Sequence, residues 1–152
     1  MDTSDRPMDL DGHKKTAQET FNAVWDLIEK KDRSDYETLV MIHMAHTSVY
    51  HWSFVGEAVN MARGEWQVSR VYCVAQMAES ALYHAQRSLN ICLHNGIGDF
   101  DLAFGYEAVA RAMKLSGDLP GSHQQVALAE QAARQIAKSE DRDYFLSELR
   151  TI

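Results

Sequence analysis

Apolar side chains recur every three or four residues through most of this chain, a spacing that predicts amphipathic helices. The first such stripe consists of Phe21, Val24, Trp25 and Ile28. No segment alternates apolar and polar residues with the period of two that a half-buried strand requires. The chain also lacks proline between Pro7 and Pro120, and a proline inside a helix costs about 3 kcal/mol. We therefore expect an all-α fold.

Capping signals predict where several helices begin. A Ser or Thr followed three residues later by Glu or Gln can satisfy two free backbone N–H groups at a helix start. This spacing occurs at Thr16 and Glu19, at Ser34 and Glu37, and at Ser122 and Gln125. It predicts the starts of the first, second and sixth helices. Residues 1–13 are then expected to form a flexible lead-in, and residues 14–152 a single helical domain.

Turn-forming residues predict the remaining boundaries. Residues 78–80 indicate a tight turn between the third and fourth helices. Asn95-Gly96 is a typical left-handed helix end, and Asp99 or Asp101 can cap the fifth helix. A short segment around Tyr144 favours a seventh helix, so we expect six or seven helices in all.

Small residues, and one pair of bulky residues, recur at a fixed distance of 41 positions. Ser69 aligns in this way with Ala110, Tyr72 with Met113, Ala81 with Ser122, and Ser88 with Ala129. Such an offset is typical of stacked helix pairs, none of which can bury its apolar face alone. The offset therefore predicts at least two similar helical hairpins.

The order of Ser69, Tyr72, Ala81 and Ser88 resembles the tetratricopeptide repeat: a small residue, an aromatic residue, alanine, and a second small residue. The resemblance covers residues 62–137. It departs from the family in its 41-residue period, where about 34 is usual, and in lacking the motif's proline. It implies a right-handed stack of antiparallel helix hairpins that serves as a non-enzymatic interaction or scaffold module for a protein or peptide partner.

The resemblance also implies a binding groove along the first helix of each hairpin. The position after the small residue, occupied by Arg70 and Arg111, faces this groove in the family. Arg63 and Trp66 share the face of Arg70 at helical spacing, and Lys114 lies nearby. Guanidinium groups bind carboxylates in a bidentate manner, and tryptophan adds apolar contact. We expect these five residues to bind an acidic peptide, a chain terminus or another small anion.

The arginines also have a simpler explanation. They can pair with carboxylates of the same molecule, such as Glu65 and Glu107. Ion pairs of this kind are common and contribute little individually. The sequence leaves both roles open.

A histidine cluster on the second predicted helix offers a different function. Imidazole is a frequent ligand of zinc and iron. His43 and His46 lie about 60° apart on a helical wheel, but His51 lies about 140° from His46. We favour histidines that form hydrogen bonds in a partly polar core, with no metal or cofactor. The alternative is a small metal-binding protein or enzyme that uses His43 and His46 with a ligand from another helix.

Composition narrows the partners and the compartment. The net charge of −7 argues against a nucleic-acid binder, which needs a basic face. The acidic start of the chain lacks the apolar region of a signal peptide, and no apolar run reaches the roughly 20 residues that span a membrane. Cys73 and Cys92 are too few for a disulfide framework, which favours small core residues in a reducing compartment. We expect a cytoplasmic protein without membrane partners.

A short stack leaves apolar ends that need covering. The first hairpin contributes Phe21, Trp25 and Phe54 at one such end. We therefore expect self-association as a homodimer.

Overall fold

The computed structural model describes residues 8–152, and all regular structure in this range is helical. In chain order the helices are α1 Leu10–Glu29, α2 Asp35–Val55, α3 Ala58–Val74, α4 Ala78–His94, α5 Asp99–Ser116, α6 Leu119–Ala133 and α7 Ser139–Leu149. The predicted all-α fold is confirmed.

The helices form a stack of hairpins. Each helix packs against the next, and the most extensive interfaces lie within α1–α2, α3–α4 and α5–α6. The odd-numbered helices also contact one another, α1 with α3, α3 with α5, and α5 with α7. Within the described range, the backbones of α2, α4 and α6 do not approach one another in this way, although the rings of His46 on α2 and His84 on α4 lie 5.3 Å apart. The odd-numbered helices therefore form one row, called the inner face below, and the even-numbered helices an outer row.

Serine hydroxyls bridge the helices within the hairpins. Ser69 Oγ on α3 donates to the carbonyl of Ala81 on α4 at 2.8 Å. Ser122 Oγ on α6 donates to the carbonyl of Ala110 on α5 at the same distance. The 41-residue offset aligns Ser69 with Ala110 and Ala81 with Ser122, so these two hydrogen bonds join equivalent positions. The donor lies on the first helix of one hairpin and on the second helix of the next. Comparable bonds join Ser88 to Ala62 and Ser48 to Ala17.

Two glycines allow successive hairpins to approach each other closely. A Cβ atom on Gly64 would lie 2.8 Å from Val49 Cγ2, and one on Gly105 would lie 3.2 Å from Leu89 Cα. Both distances are shorter than an ordinary van der Waals contact. The two glycines are also 41 residues apart, so they occupy equivalent places against the preceding outer helix.

The structure corrects the predicted start of the first helix. α1 begins at Leu10, and the carboxylate of Asp9 accepts from the N–H of Gly12 at 2.7 Å. Thr16 lies inside the helix. Residues 10–13 of the expected lead-in are thus helical, and residues 1–7 lie outside the described range. The capping box of Ser34 and Glu37 at the start of α2 is confirmed.

Three other predicted boundaries are wrong, and one holds. The turn before α4 falls at residues 75–77, where Gln76 has a φ of 62°, and not at residues 78–80. Gly98 is the N-cap residue of α5 and provides no side-chain cap, although Asp99 or Asp101 was expected to cap this helix. Asp118 caps α6, whereas Ser122, the expected cap, is buried inside that helix. Asn95-Gly96 does end α4, with Gly96 at a φ of 65°.

Candidate functional site

The inner face contains an apolar cleft of about 490 Å³, here called the aromatic cleft. Six aromatic side chains from α1, α3, α5 and α7 line it: Phe21, Trp25, Trp66, Phe100, Phe104 and Tyr144. Arg63, Asp101 and Asp141 supply its charged groups. All four inner helices are therefore needed to form this cleft.

The rings of the aromatic cleft form one connected series. The ring centroids of Trp25 and Trp66 are 5.6 Å apart, and those of Trp66 and Phe104 are 5.3 Å apart, edge to face. Phe104 is 6.2 Å from Tyr144, which remains 54% exposed. Partial burial raises the pKa of Tyr144, and the nearby carboxylate of Glu148 raises it to a smaller extent. The cleft thus offers several aromatic surfaces to an apolar group.

A bidentate ion pair borders the aromatic cleft. Arg63 Nε donates to Asp101 Oδ1 at 2.8 Å, and Nη2 donates to Oδ2 at 3.1 Å. The Asp101 carboxylate raises the pKa of Arg63 further above its ordinary value. This pair joins α3 to α5 and neutralises the predicted groove residue Arg63.

A second cleft of about 470 Å³, here called the basic cleft, lies between α3, α5 and the residues after α7. Its lining includes Arg70, Val74, Arg111, Lys114 and Leu115. These are the residues that the repeat pattern predicts for one face of α3 and α5. The structure therefore brings Arg70, Arg111 and Lys114 together.

Glu107 lies between the two clefts and is only 1% exposed. Its Oε2 accepts from Trp66 Nε1 at 3.0 Å. Its Oε1 accepts from Arg70 Nη1 at 3.3 Å and from Arg111 Nε at 2.7 Å. An ionised carboxylate requires such partners when it is removed from water. Two of the predicted groove arginines thus stabilise Glu107.

The same arginines extend this network to the end of α7. Arg70 Nη2 donates to Glu148 Oε2 at 3.2 Å. Arg111 Nη2 donates to the Glu148 carbonyl at 3.2 Å and to Thr151 Oγ1 at 2.7 Å. Pairing with Glu107 was the simpler explanation considered for these arginines. The other carboxylate considered, Glu65, instead pairs with His84 at 2.6 Å.

The two clefts lie end to end along the inner face. Arg63 and Arg70 are seven residues apart on α3, as are Phe104 and Arg111 on α5. Residues seven apart on a helix share a face and are separated by about 10 Å along its axis. The five predicted residues therefore share a face but divide into two groups, with Arg63 and Trp66 in the aromatic cleft and the others in the basic cleft.

Sequence reasoning missed Glu107 as a partner of Trp66, and it missed the aromatic residues Phe100, Phe104 and Tyr144. A signal for Glu107 was present, because the 41-residue offset aligns Glu107 with Trp66. No such signal exists for Tyr144, which lies beyond the part of the chain that resembles the repeat.

The histidines divide among separate contacts. His43 is exposed, and His46 Nε2 lies 2.8 Å from the Tyr72 hydroxyl. His51 Nδ1 lies 2.8 Å from His13 Nδ1. Within residues 8–152, no three His, Cys, Asp or Glu side chains are arranged to hold a metal ion. The structure therefore does not bring His43 and His46 together with a third ligand.

Both cysteines have weakly acidic thiols. Cys92 is fully buried in α4, and Cys73 borders the basic cleft on α3. Burial raises the pKa of each thiol to about 11. Neither thiol forms appreciable thiolate at neutral pH, so neither is suited to nucleophilic chemistry.

We predict that Glu107→Ala lowers the free energy of unfolding by about 3 kcal/mol, because it leaves two partly buried guanidinium groups without their shared carboxylate. Urea denaturation followed by circular dichroism measures this change. Glu130→Ala on the exposed face of α6 is the matched control and should change stability by less than about 0.5 kcal/mol. Equal losses in the two variants would contradict the structural role of Glu107.

We predict that His46 makes the fold less stable at acidic pH. Burial lowers the pKa of His46 below its ordinary value of 6.5, and the charge of His84 lowers it to a smaller extent. Between the native pKa of His46 and 6.5, the unfolded chain binds more protons than the folded chain. The free energy of unfolding therefore rises with pH in this window and is lost as the pH falls through it. The loss of unfolding free energy from pH 7 to pH 5 should be smaller in His46→Gln than in the parent. The control is His123→Gln, since His123 is exposed. If His46→Gln loses as much unfolding free energy between pH 7 and pH 5 as the parent does, the prediction is refuted.

Comparison with known proteins adds no relative from which a function could be transferred. No family model, curated protein or solved structure matches this chain. None of the helices α1 to α7 combines the length and the hydropathy of a membrane-spanning helix. The resemblance to the tetratricopeptide repeat therefore stays a prediction based on the residues themselves.

Proposed function

We propose that this chain is a non-enzymatic helical-repeat interaction module. In this proposal its inner face binds a partner peptide that carries one large apolar side chain and one carboxylate. The supporting observation is that an aromatic cleft and a basic cleft lie end to end along α3 and α5. The charge and exposure of each cleft favour one of the two peptide groups.

The aromatic cleft suits the apolar side chain. Aromatic residues in partly enclosed sites dominate the energetics of many protein interfaces. Trp66 and Tyr144 present ring surface within this cleft, and Tyr144 is more than half exposed. A leucine, methionine or aromatic side chain would bury this surface. The Arg63–Asp101 pair at the border can bond to the peptide backbone.

The basic cleft suits the carboxylate. Its surroundings hold three cations, Arg70, Arg111 and Lys114, against the two carboxylates of Glu107 and Glu148. Among these five side chains, cations therefore exceed carboxylates by one. Lys114 is exposed and forms no ion pair with any other described residue. The intramolecular pairs hold the arginines in position, and Lys114 supplies the charge that a ligand can neutralise.

The distance between the clefts sets the spacing in the peptide. Seven residues of α3 or α5 cover about 10 Å, and an extended peptide covers about 3.3–3.6 Å per residue. The apolar residue and the carboxylate should therefore be about three or four residues apart. The proposal keeps the predicted acidic ligand and adds an apolar requirement.

The rival function is a metal-binding protein or enzyme that uses His43 and His46. Its support is weaker, because His43 is exposed whereas His46 bonds to Tyr72. The interaction module is therefore the function that the geometry supports best.

Binding of selected peptides tests the proposed function. Peptides are first selected from a randomised phage-displayed library on the parent protein. We expect an enriched motif with a large apolar residue and Asp or Glu about three or four positions away. Fluorescence anisotropy should then show affinity about tenfold weaker or more for Tyr144→Ala and for Lys114→Glu.

The controls change the same residue types away from both clefts. Tyr83 on α4 is 61% exposed, and Lys31 lies in the turn between α1 and α2. Tyr83→Ala and Lys31→Glu should bind within about twofold of the parent. Arg70→Glu and Arg111→Glu are unsuitable, since each would also disrupt the partners of Glu107. Selection of motifs without a carboxylate, or equal losses in the controls, would refute the proposal.

We also propose that the chain self-associates through α2. Phe21 and Trp25, expected at an open end of the stack, instead line the aromatic cleft. An exposed apolar stripe nevertheless follows one face of α2 and consists of Tyr36, Leu39, Tyr50 and Phe54. Their spacing places them within about 60° of one another on the helix. Two copies of this face can pack together around a twofold axis.

We predict that light scattering at micromolar concentration gives the mass of a dimer. The double variant Leu39→Glu with Tyr50→Glu should give a monomer, because charged residues on the stripe would face each other. The matched control is Tyr83→Glu with Leu93→Glu, which changes comparably exposed residues of α4 and should stay dimeric. A monomeric parent protein at high micromolar concentration would contradict self-association.

A further inference from the structure

A third cavity of about 530 Å³, here called the end groove, lies between α6 and α7. The α6 side runs from Leu119 to Arg134, a distance of about 22 Å at the rise of an α-helix. The α7 side runs from Arg142 to Arg150. Among the described helices only α5 and α6 pack on α7, so no other helix covers the groove.

The end groove is basic although the protein is acidic. Four cationic side chains line it: Lys114, Arg134, Arg142 and Arg150. Among the described lining residues, Glu130 has the sole carboxylate side chain. The lining therefore carries a net charge of about +3 with His123 neutral, whereas the whole chain carries −7. This local charge favours an acidic occupant.

The floor of the end groove is apolar. Val126 on α6 and Leu146 on α7 are partly buried, and Leu149 lies beneath them. Leu119 is half exposed at one end. An apolar floor with Arg134 on the α6 side and Arg142 and Arg150 on the α7 side is suited to an amphipathic helix, which buries one face and presents charges along its edges.

We propose that the end groove binds an acidic amphipathic helix of a partner protein. A helix of about 15 residues matches the length of the groove. Its apolar residues at i, i+3, i+4 and i+7 contact the floor, and its flanking carboxylates contact the arginines. Guanidinium groups bind carboxylates in a bidentate manner, which fixes the position of the helix as well as its charge.

This proposal does not rest on the proposed peptide site of the inner face. Lys114 and Ile152 line both the basic cleft and the end groove, whereas Arg134 and Arg150 line the end groove alone among the clefts described above. Substitutions of Arg134 and Arg150 therefore test the end groove separately.

The test uses two synthetic peptides of about 15 residues with the same leucine positions at helical spacing. One carries glutamates on the polar edges, and the other carries lysines at the same positions. Fluorescence anisotropy should show the acidic peptide binding about tenfold more tightly or better. Hydrogen exchange should slow in α6 and α7 when the acidic peptide binds.

The acidic peptide should lose affinity about tenfold or more when Arg134→Glu and Arg150→Glu are combined. Should the double variant fold poorly, Arg134→Gln with Arg150→Gln removes the charges without reversing them. The control, Arg87→Glu with Lys31→Glu, changes exposed cations outside the groove and should bind as the parent does.

Three results would overturn the proposal. The first is equal affinity for the acidic and lysine peptides. The second is that Lys114→Glu and Tyr144→Ala abolish binding of the acidic peptide, whereas the Arg134 and Arg150 variants still bind it. The peptide would then occupy the inner face. The third is loss of the parent's self-association in the Arg134 and Arg150 double variant, which would identify a second copy of the chain as the occupant.

Discussion

The buried carboxylate of Glu107 is the polar interaction that links the inner helices α3, α5 and α7. Removing a carboxylate from water is costly, and the cost is offset only when several well-placed donors surround it. Trp66 and Arg70 approach Glu107 from α3, whereas Arg111 approaches from its own helix. The arginines then reach Glu148 and Thr151 at the end of α7. One carboxylate thereby couples three inner helices and separates the aromatic cleft from the basic cleft.

Much of the hairpin architecture could be predicted from the sequence because it depends on repeated small residues. The 41-residue offset pairs Ser69 with Ala110 and Ala81 with Ser122, and the structure shows the same serine-to-carbonyl bond at both places. The offset did not reveal which helix would supply the hydroxyl. The capping signal at Ser122 failed for the same reason, since a serine can bond to its own helix start or to a neighbouring helix, and local sequence does not distinguish the two.

The candidate site could be predicted only in part. The resemblance to the repeat implied that Arg70 and Arg111 occupy equivalent positions of two helices, with Lys114 nearby, and the structure brings all three into the basic cleft. Whether an arginine meets a ligand or Glu107 depends on distances between helices, which spacing alone does not determine. The aromatic cleft needs Trp25 and Tyr144 from α1 and α7, and these helices lie outside the stretch that resembles the repeat.

The distribution of charge connects the three cavities. Seven of the 15 Lys and Arg residues line the aromatic cleft, the basic cleft or the end groove. The remaining surface is consequently more acidic than the net charge of −7 suggests. At physiological ionic strength the Debye length is about 8 Å, so a ligand in a cavity responds mainly to the charges that line it and only weakly to the net charge of the whole molecule. Binding at these sites then depends on the fit of apolar groups as well as on the charges that line each cavity.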